Sequence, residues 1–167
     1  ALAARLDASN DGVWDWDLET NTYYRSRRWK EMLGFREDEI GNSPEAWVDL
    51  IHPDDILQSD EELNRHLAGL SPIYSSEHRF RCKDGSYKWI LDRGKIIQRD
   101  AKGNPLRMIG THTDIDARKI AELRAHRLAN LYAALSQCNE AIARSATEAE
   151  LFPRVCRSAV VHGGMAM

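Results

Sequence analysis

Aromatic and histidine side chains recur at every second position in several short stretches of this 167-residue sequence. Trp14 and Trp16 form one such pair, and His78 and Phe80 form another. A spacing of two places side chains on one face of a β-strand, so these faces predict an interior whose rings hold a small ligand. The candidate ligand-binding residues are Trp14, Trp16, His78, Phe80, Trp89 and His112. The alternative is that these large side chains only fill the core.

Two adjacent carboxylates, Asp54 and Asp55, follow the dipeptide His52-Pro53 and could act as an acid, a base or a metal ligand. Proline followed by acidic residues is more typical of a helix start, where carboxylates interact with the positive end of the helix dipole. The sequence contains no Walker-type loop, nucleophile elbow or zinc-protease motif, and the neighbours of His126 lack the acidic residue and proline of a kinase phosphoacceptor box. We therefore predict that this segment is not an enzyme.

The three cysteines, Cys82, Cys138 and Cys156, are far apart and odd in number, which favours free thiols over a disulfide framework or a metal site. A net charge of −3 gives no general attraction to nucleic acid. No stretch approaches the roughly 18 apolar residues of a membrane span, and no signal peptide opens the chain, so the expected location is cytoplasmic. The missing initiator Met and the ending Gly-Gly-Met-Ala-Met predict a segment of a longer protein.

Five runs of alternating apolar residues predict the strands that position these side chains. The runs are a hairpin at 13–18 and 22–25 and a meander that begins near Ile73 and ends near Ile115. Helices are predicted between the two, at 27–33, 45–51 and 53–69; the polar middle of the last helix, 58–62, is expected to face water. Gly94 marks a bulge or a close backbone contact. The predicted fold class is α+β, a five-stranded antiparallel sheet with helices on one face, followed by a long C-terminal helix.

The apolar period becomes helical after Asp116 and stays so to about Arg144. A seam at alternating steps of three and four residues is typical of a coiled coil and predicts a helix that pairs with its copy in a homodimer. The seam residues are Leu128, Leu131, Leu135, Cys138 and Ile142, and Ile120 and Leu123 fall outside it. The alternative is a single amphipathic helix that buries this stripe on its own domain.

Four of these segments, in this order, resemble the motifs of a PAS domain that ends in a PAC motif. They are Asp11-Gly12-Val13-Trp14-Asp15-Trp16-Asp17, His52-Pro53-Asp54-Asp55, Lys83-Asp84-Gly85-Ser86-Tyr87-Lys88-Trp89 and Gly110-Thr111-His112-Thr113-Asp114-Ile115-Asp116. Segments 131–142 and 150–156 resemble the opening of a GAF domain of bacterial sensor proteins. The predicted organisation is a lead-in helix at 1–10, a PAS/PAC sensor domain at 11–116, a coiled-coil-like linker at 117–145 and the truncated start of a GAF domain at 146–167.

The resemblance implies a sensory or relay module of a bacterial signalling protein, with a histidine kinase or diguanylate cyclase output outside this segment. Flavin photosensors of this family carry a reactive Cys in the helical region, and residues 27–69 contain none. Haem-binding members carry an inward His on the long helix, where only His66 is present, near the C-terminal end. We expect neither cofactor. An unidentified small ligand and a ligand-free dimerisation module both stay open.

The segment Asp114-Ile115-Asp116 joins the last predicted strand to the long helix. Its carboxylates can accept hydrogen bonds from the first turn of the helix or from a neighbouring strand, which would fix the direction of the helix. These three residues are therefore the candidate signal relay to downstream domains of the same chain. The alternative is an ordinary helix N-cap.

Overall fold

The structure is a computed structural model that describes residues 11–41, 43, 45–144 and 153. The expected lead-in helix at 1–10 lies outside the described residues, and so does the expected GAF start at 146–167 apart from Pro153. The chain divides into two compact units, Ala1–Asp116 and Ala117–Met167. None of the described helices has both the length and the apolar character that crossing a membrane requires.

The first unit contains one antiparallel sheet of five strands, in the order β2-β1-β5-β4-β3. The strands are β1 (Gly12–Asp17), β2 (Thr22–Arg25), β3 (Tyr74–Arg81), β4 (Tyr87–Arg99) and β5 (Pro105–Asp114). Gly85 and Gly103 adopt φ values of 86° and 89° in the two turns of the meander, a conformation that glycine tolerates because it has no Cβ. The predicted hairpin and meander are confirmed, and β1 joins them by pairing with β5.

Three helices connect β2 to β3: α1 (Arg27–Met32), α2 (Glu45–Val48) and α3 (Ile56–Leu67), with a short 3-10 helix (Pro53–Asp55) ahead of α3. The Ser26 hydroxyl caps α1 by accepting a hydrogen bond from the Trp29 N–H. In the first unit, α1 contacts β1 and α3 contacts β3, so the helices cover one face of the sheet. The long helix α4 (Asp116–Arg144) follows, as predicted.

The core lies between this inner face of the sheet and the helices. It contains Trp14, Trp29, Met32, Leu33, Ile40, Leu50, Ile51, Tyr74, Phe80, Ile90 and Met108. Full burial of one such large apolar side chain contributes on the order of 1.5–3 kcal/mol to stability. Trp29, Met32 and Leu33 lie on the inner side of α1 and the residue after it, as the helical period predicts.

Trp14 lies against two glycines that face each other across β4 and β5. Gly94 pairs with Gly110, and a Cβ at either position would overlap the Trp14 indole. The close backbone contact predicted at Gly94 is therefore confirmed, and the register shifts of β4 occur later, between Ile96 and Arg99. Because both residues lack a side chain, the Trp14 indole can pack directly on the backbone of β4 and β5.

The expectation that residues 58–62 face water is wrong for Ser59, which is buried. Ser59 precedes Leu63 by four residues and His66 by seven, so all three lie on the same face of α3. Its hydroxyl lies 3.2 Å from the Tyr74 hydroxyl on β3. The helical period, rather than the polarity of the segment, decides where this serine points.

Candidate functional site

A small cavity lies between the inner face of the sheet and the helices. The enclosed volume is about 20 Å³, which holds roughly one water molecule. The cavity is open on one side, and the empty space including this opening is about 360 Å³. The lining is mostly aromatic and includes one basic and one acidic side chain. It consists of Trp14, Trp16, Tyr23, Arg25, Trp29, Trp47, Leu63, Tyr74, Asp92, Met108 and His112.

Two indoles, an imidazole and a carboxylate form a buried network beside this cavity. The Trp29 Nε1–H donates to His112 Nδ1 at 2.7 Å, and the Trp14 Nε1–H donates to Asp92 Oδ1 at 2.8 Å. His112 Nε2 lies 2.9 Å from Asp92 Oδ2, although the pair is not aligned as a good hydrogen bond. The network therefore connects α1 with β1, β4 and β5.

The network assigns the position of the His112 proton. Because Nδ1 accepts from the Trp29 indole, the ring proton of the neutral imidazole resides on Nε2, where it faces the Asp92 carboxylate. Asp92 also influences the buried Tyr74. Burial, and after it the negative charge of Asp92, raise the pKa of Tyr74 well above its ordinary value of 10.

A second histidine, His78, is buried in the same core with weaker bonding. The Ser59 and Ser76 hydroxyls lie 3.4 and 3.2 Å from its Nδ1, and its Nε2 has no hydrogen-bond partner among the described residues. Burial lowers the pKa of His78 to about 4. The imidazole is therefore neutral at pH 7, and one of its nitrogens is left unsatisfied.

Arg25 brings a positive charge to the cavity. Its guanidinium donates to the carbonyl oxygens of Gly41 at 2.9 Å and Ser43 at 3.1 Å. It also lies 5.0 Å from the ring centroid of Tyr23 and 5.2 Å from that of Trp29, within the range of cation–π attraction. Burial lowers the pKa of Arg25. A guanidinium nevertheless stays protonated in proteins, so the side chain keeps its positive charge.

The structure brings together five of the six candidate ligand-binding residues. Trp14, Trp16 and His112 line the cavity. Phe80 and His78 are buried beside it, with ring centroids 5.2 and 6.4 Å from that of His112. Their assembly on one face of the sheet follows from the period of two that predicted it; a binding role for them stays a prediction.

The inward position expected for Trp89 is wrong. Its neighbour Ile90 is fully buried on the inner face, so Trp89 points to the other face of β4 and does not line the cavity. There the Arg79 guanidinium lies 5.4 Å from its ring centroid. The face of β4 that carries Tyr87, Trp89 and Leu91 is rich in apolar residues, so apolar content alone points to the wrong face of this strand.

Several lining residues were missed, of which Asp92 and Arg25 matter most. Asp92 is two residues after Ile90 and therefore shares the inner face. Counting every second residue from Ile90 along β4 would have placed Asp92 on the inner face. Arg25 is the last residue of β2 and lies two residues after Tyr23, so the two side chains share one face of the strand.

The candidate relay residues bond to the neighbouring strand and to each other. The Trp89 N–H donates to Asp116 Oδ1 at 2.8 Å, and the Asp116 N–H donates to Asp114 Oδ1 at 3.0 Å. Between them, Ile115 is buried, and its N–H donates to the Trp89 carbonyl at 2.9 Å. The bonds expected to the helix start and to a neighbouring strand are thus both present.

Lys88 extends these contacts to α1. Its Nζ lies 2.9 Å from Asp114 Oδ2 and donates to the Met32 carbonyl at 3.1 Å. The hydrogen bond and ion pair with Asp114 raise the pKa of Lys88. One lysine therefore joins the end of α1, which carries Trp29, to the last residue of β5.

Two further predicted positions have structural contacts. Among the described residues, His66 uses both ring nitrogens: Nδ1 pairs with the Ser71 carbonyl at 2.9 Å, and Nε2 accepts from the Ile96 N–H at 3.3 Å. Asp55 accepts two hydrogen bonds from the Arg79 side chain and one from its N–H, which lower the pKa of Asp55. Asp55 thus anchors the start of α3 to β3, a contact that the helix-dipole interpretation did not include.

In the second unit, the seam predicted on α4 is largely exposed. Leu128, Leu131, Leu135 and Ile142 expose 54%, 40%, 61% and 58% of their surface, and Cys138 is half-buried. An apolar stripe of this kind is compatible with pairing to a second helix. Pairing itself stays a prediction.

Comparisons with known proteins agree with this architecture. A family model described as "PAS fold" matches residues 22–112. A crystal structure of a sensory box histidine kinase/response regulator from Burkholderia thailandensis E264 superposes with a TM-score of 0.66 at 30% identity, covering 77% of this chain and 95% of that one. The N-terminal domain of a diguanylate cyclase with a PAS/PAC sensor from Marinobacter aquaeolei shares the fold, with a TM-score of 0.57 at 23% identity over 65% of this chain and 98% of that one.

Among curated proteins, hybrid signal transduction histidine kinase A of Dictyostelium discoideum is 38% identical over 74 residues. These residues make up 43% of this chain and 3% of that protein, so the chain corresponds to a very small part of this relative. The family model covers β2, the helices α1 to α3, β3, β4 and most of β5. The chain therefore belongs to the PAS-fold family and contains a PAS sensor domain related to those of signalling histidine kinases.

Proposed function

We propose that this chain is the sensory and relay module of a cytoplasmic bacterial signal-transduction protein. In this proposal the PAS domain responds to a small ligand or a partner. The response passes through a homodimeric α4 to an output domain outside this sequence, either a histidine kinase or a diguanylate cyclase. The PAC motif and the GAF domain suggested by the sequence belong to the same proposal.

The observation that carries the proposal is the bonding around Asp114. This residue ends β5, bonds to the first residue of α4 and pairs with Lys88, which also bonds to α1. His112, two residues earlier on β5, accepts from Trp29 of α1. A rearrangement at the cavity can therefore reach the start of α4 along one strand and through one lysine.

Asp114→Ala tests the relay in the full-length protein. We expect it to change the output, measured as autophosphorylation or as cyclic dinucleotide formation, while unfolding free energy falls by less than about 1 kcal/mol because the ion pair is partly exposed. Asp84→Ala is the matched control, since among the described residues the Asp84 side chain bonds to Ser86, within the same exposed turn. Unchanged output from Asp114→Ala at unchanged stability would remove the relay role.

Substitutions on α4 test the homodimer. We expect Leu128→Glu with Leu135→Glu to convert a dimer to a monomer in light scattering, because two carboxylates would be buried in a paired seam. Leu123→Glu is the control, since Leu123 is 67% exposed and lies outside the seam. A dimer that survives the double substitution and the deletion of residues 117–167 would place the interface elsewhere.

A ligand-free interaction module is the second candidate. The size of the cavity favours it, because about 20 Å³ leaves room for little more than a water molecule between the aromatic side chains. Native mass spectrometry of the purified protein separates the two candidates. A co-purified small molecule supports the sensor, and its absence together with no thermal shift in a metabolite screen supports the interaction module.

A further inference from the structure

Two buried side chains of opposite charge, Arg25 and Asp92, line the same cavity, and this feature suggests the class of ligand. They expose only 4% and 2% of their surface. Ionised side chains are rarely buried unless they are paired. Among the described residues, no ion pair joins the two: Asp92 lies beside His112, and Arg25 has no carboxylate within ion-pair distance.

Among the described residues, the hydrogen-bonding capacity of Arg25 is only partly used. A guanidinium has five N–H groups, and Arg25 donates through Nη1 and Nη2 to two backbone carbonyls, of Gly41 and Ser43. Its other described contacts are the faces of the Tyr23 and Trp29 rings. A carboxylate that entered the cavity would give this buried cation the anionic partner that arginine binds best.

The Asp92 carboxylate also has unused hydrogen-bond acceptor positions among the described residues. Its Oδ1 accepts from the Trp14 indole, and its Oδ2 faces the N–H of His112. A carboxylate offers about four acceptor positions, so up to two stay available for a donor in the cavity. A small ammonium group suits this end, because indole and phenol rings around it also attract cations.

We propose that the cavity binds a small zwitterion, with its carboxylate on Arg25 and its ammonium group directed to Asp92. The inference rests on the proposed ligand-sensing function and specifies its ligand class. A simple anion would pair with Arg25 but meet the charge of Asp92, and a simple cation would meet the charge of Arg25. Only a ligand that carries both charges satisfies both ends.

The geometry limits the ligand to a few heavy atoms. The enclosed space is about 20 Å³, so the ligand must also occupy the open side of the cavity, where the empty space reaches about 360 Å³. Trp16, Tyr23 and Trp47 are half-buried members of the lining and mark this side. Their side chains adjust to admit the ligand, while the buried Trp14 and Trp29 stay bonded to Asp92 and His112.

The indole N–H resonances provide a direct test, because the sequence has five tryptophans. Four of them, Trp14, Trp16, Trp29 and Trp47, line the cavity, and Trp89 on the other face of the sheet is an internal control. The ¹⁵N-labelled protein is titrated with β-alanine, glycine and 4-aminobutyrate, and with propionate and propylammonium at the same ionic strength. We expect at least one zwitterion to shift the cavity indoles but not Trp89, with an affinity at least about tenfold above that of either singly charged probe.

Two conservative variants give the second arm of the test. Asp92→Asn keeps the acceptor for Trp14 but removes the charge, so propionate should then bind as well as β-alanine does. Arg25→Gln keeps donors for the backbone carbonyls and should weaken β-alanine binding at least about tenfold. If either variant does not fold, the titration of the native sequence with zwitterionic and singly charged probes still tests the proposal.

The proposal is overturned if no zwitterion shifts the cavity indoles at concentrations up to roughly 50 mM, well into the millimolar range of weak binding. Equal affinity for propionate, propylammonium and β-alanine overturns it as well. A neutral co-purified ligand that shifts the same four indoles would remove the zwitterion and leave the sensory function in place. The two proposals can therefore fail separately.

Discussion

The two histidines in the core, His78 and His112, are buried to the same degree but are bonded very differently. Each exposes 1% of its surface, and their ring centroids lie 6.4 Å apart. His112 accepts from the Trp29 indole and faces the Asp92 carboxylate with its other nitrogen. His78 has only two serine hydroxyls near Nδ1, at 3.2 and 3.4 Å, and no described partner at Nε2.

This difference shows that burial does not determine what a histidine contributes to the fold. Removing His112 leaves the Trp29 indole N–H without its acceptor and takes away the N–H that faces Asp92 Oδ2. Removing His78 leaves Ser59 close to the Tyr74 hydroxyl and eliminates one unsatisfied nitrogen. An unmade hydrogen bond of a buried polar group is unfavourable by about 1–3 kcal/mol, so apolar substitution should destabilise the fold much more at His112 than at His78.

The largest effect should come from His112→Phe. The substitution keeps a ring of similar size but removes the acceptor of the Trp29 indole and the N–H that faces Asp92. Each of these losses in the core is unfavourable by about 1–3 kcal/mol, so the free energy of unfolding should fall by roughly 2–6 kcal/mol. Urea denaturation at pH 7.5 measures it, with the m-value confirming that the folded state is still compact. A loss below about 1 kcal/mol would mean that the network contributes little to stability.

Acid pH should reveal the weak bonding of His78. Burial lowers the pKa of His78 from 6.5 to about 4, although the negative charges of Asp92, Asp55 and Glu62 oppose the shift. Between pH 7 and pH 4 the unfolded chain therefore binds a proton that the folded chain does not, and stability falls as the pH falls. The loss attributable to His78 should reach at most about 3 kcal/mol and should not grow further below pH 4.

The difference between the stability curves of the native sequence and of His78→Leu isolates this contribution, because other titrating groups affect both proteins. The two curves should diverge from pH 7 to pH 4, with the native sequence losing more stability. Parallel curves over this range would contradict a lowered pKa for His78.

The fold was predictable because local signals determine it. Ser26 before α1 and the glycines at 85 and 103 lie where a cap and two tight turns need them. The period of two in β1, β3 and β5 then placed Trp14, His78 and His112 on one face. These inferences require only the residues of one element at a time.

The contents of the cavity were less predictable because they depend on contacts between distant segments. On β4, the outer face carries Trp89, whereas the inner face carries Asp92 and Gly94. The inner face is the more polar one because Trp14 fills the space over Gly94 and Asp92 accepts from its indole. Trp14 and Asp92 are 78 residues apart, so no pattern within one strand reveals that they belong together.

Two tryptophan substitutions test how much the hydrogen bond between Trp29 and His112 contributes to stability. Trp29→Phe and Trp47→Phe remove the same ring atoms, but Trp29 donates to His112, whereas Trp47 meets His78 only through an edge-to-face contact at 6.0 Å. The first should therefore lower the free energy of unfolding by about 1–2 kcal/mol more than the second, which corresponds to one buried hydrogen bond and its unsatisfied acceptor. Equal losses of unfolding free energy in the two variants would show that the hydrogen bond from Trp29 to His112 makes no contribution beyond the packing of the indole.

The smallest effect should be that of His78→Leu at pH 7.5. Leucine removes the unsatisfied Nε2 and keeps an apolar contact with Phe80, whose ring centroid lies 4.9 Å from that of His78. The loss of imidazole atoms opposes this gain, so the free energy of unfolding should change by less than about 1 kcal/mol in either direction. The matched control is His112→Leu, which should be several times more destabilising in the same urea experiment. A loss from His78→Leu as large as that from His112→Leu would mean that the His78 nitrogens are fully bonded in solution, and the contrast between the two histidines would disappear.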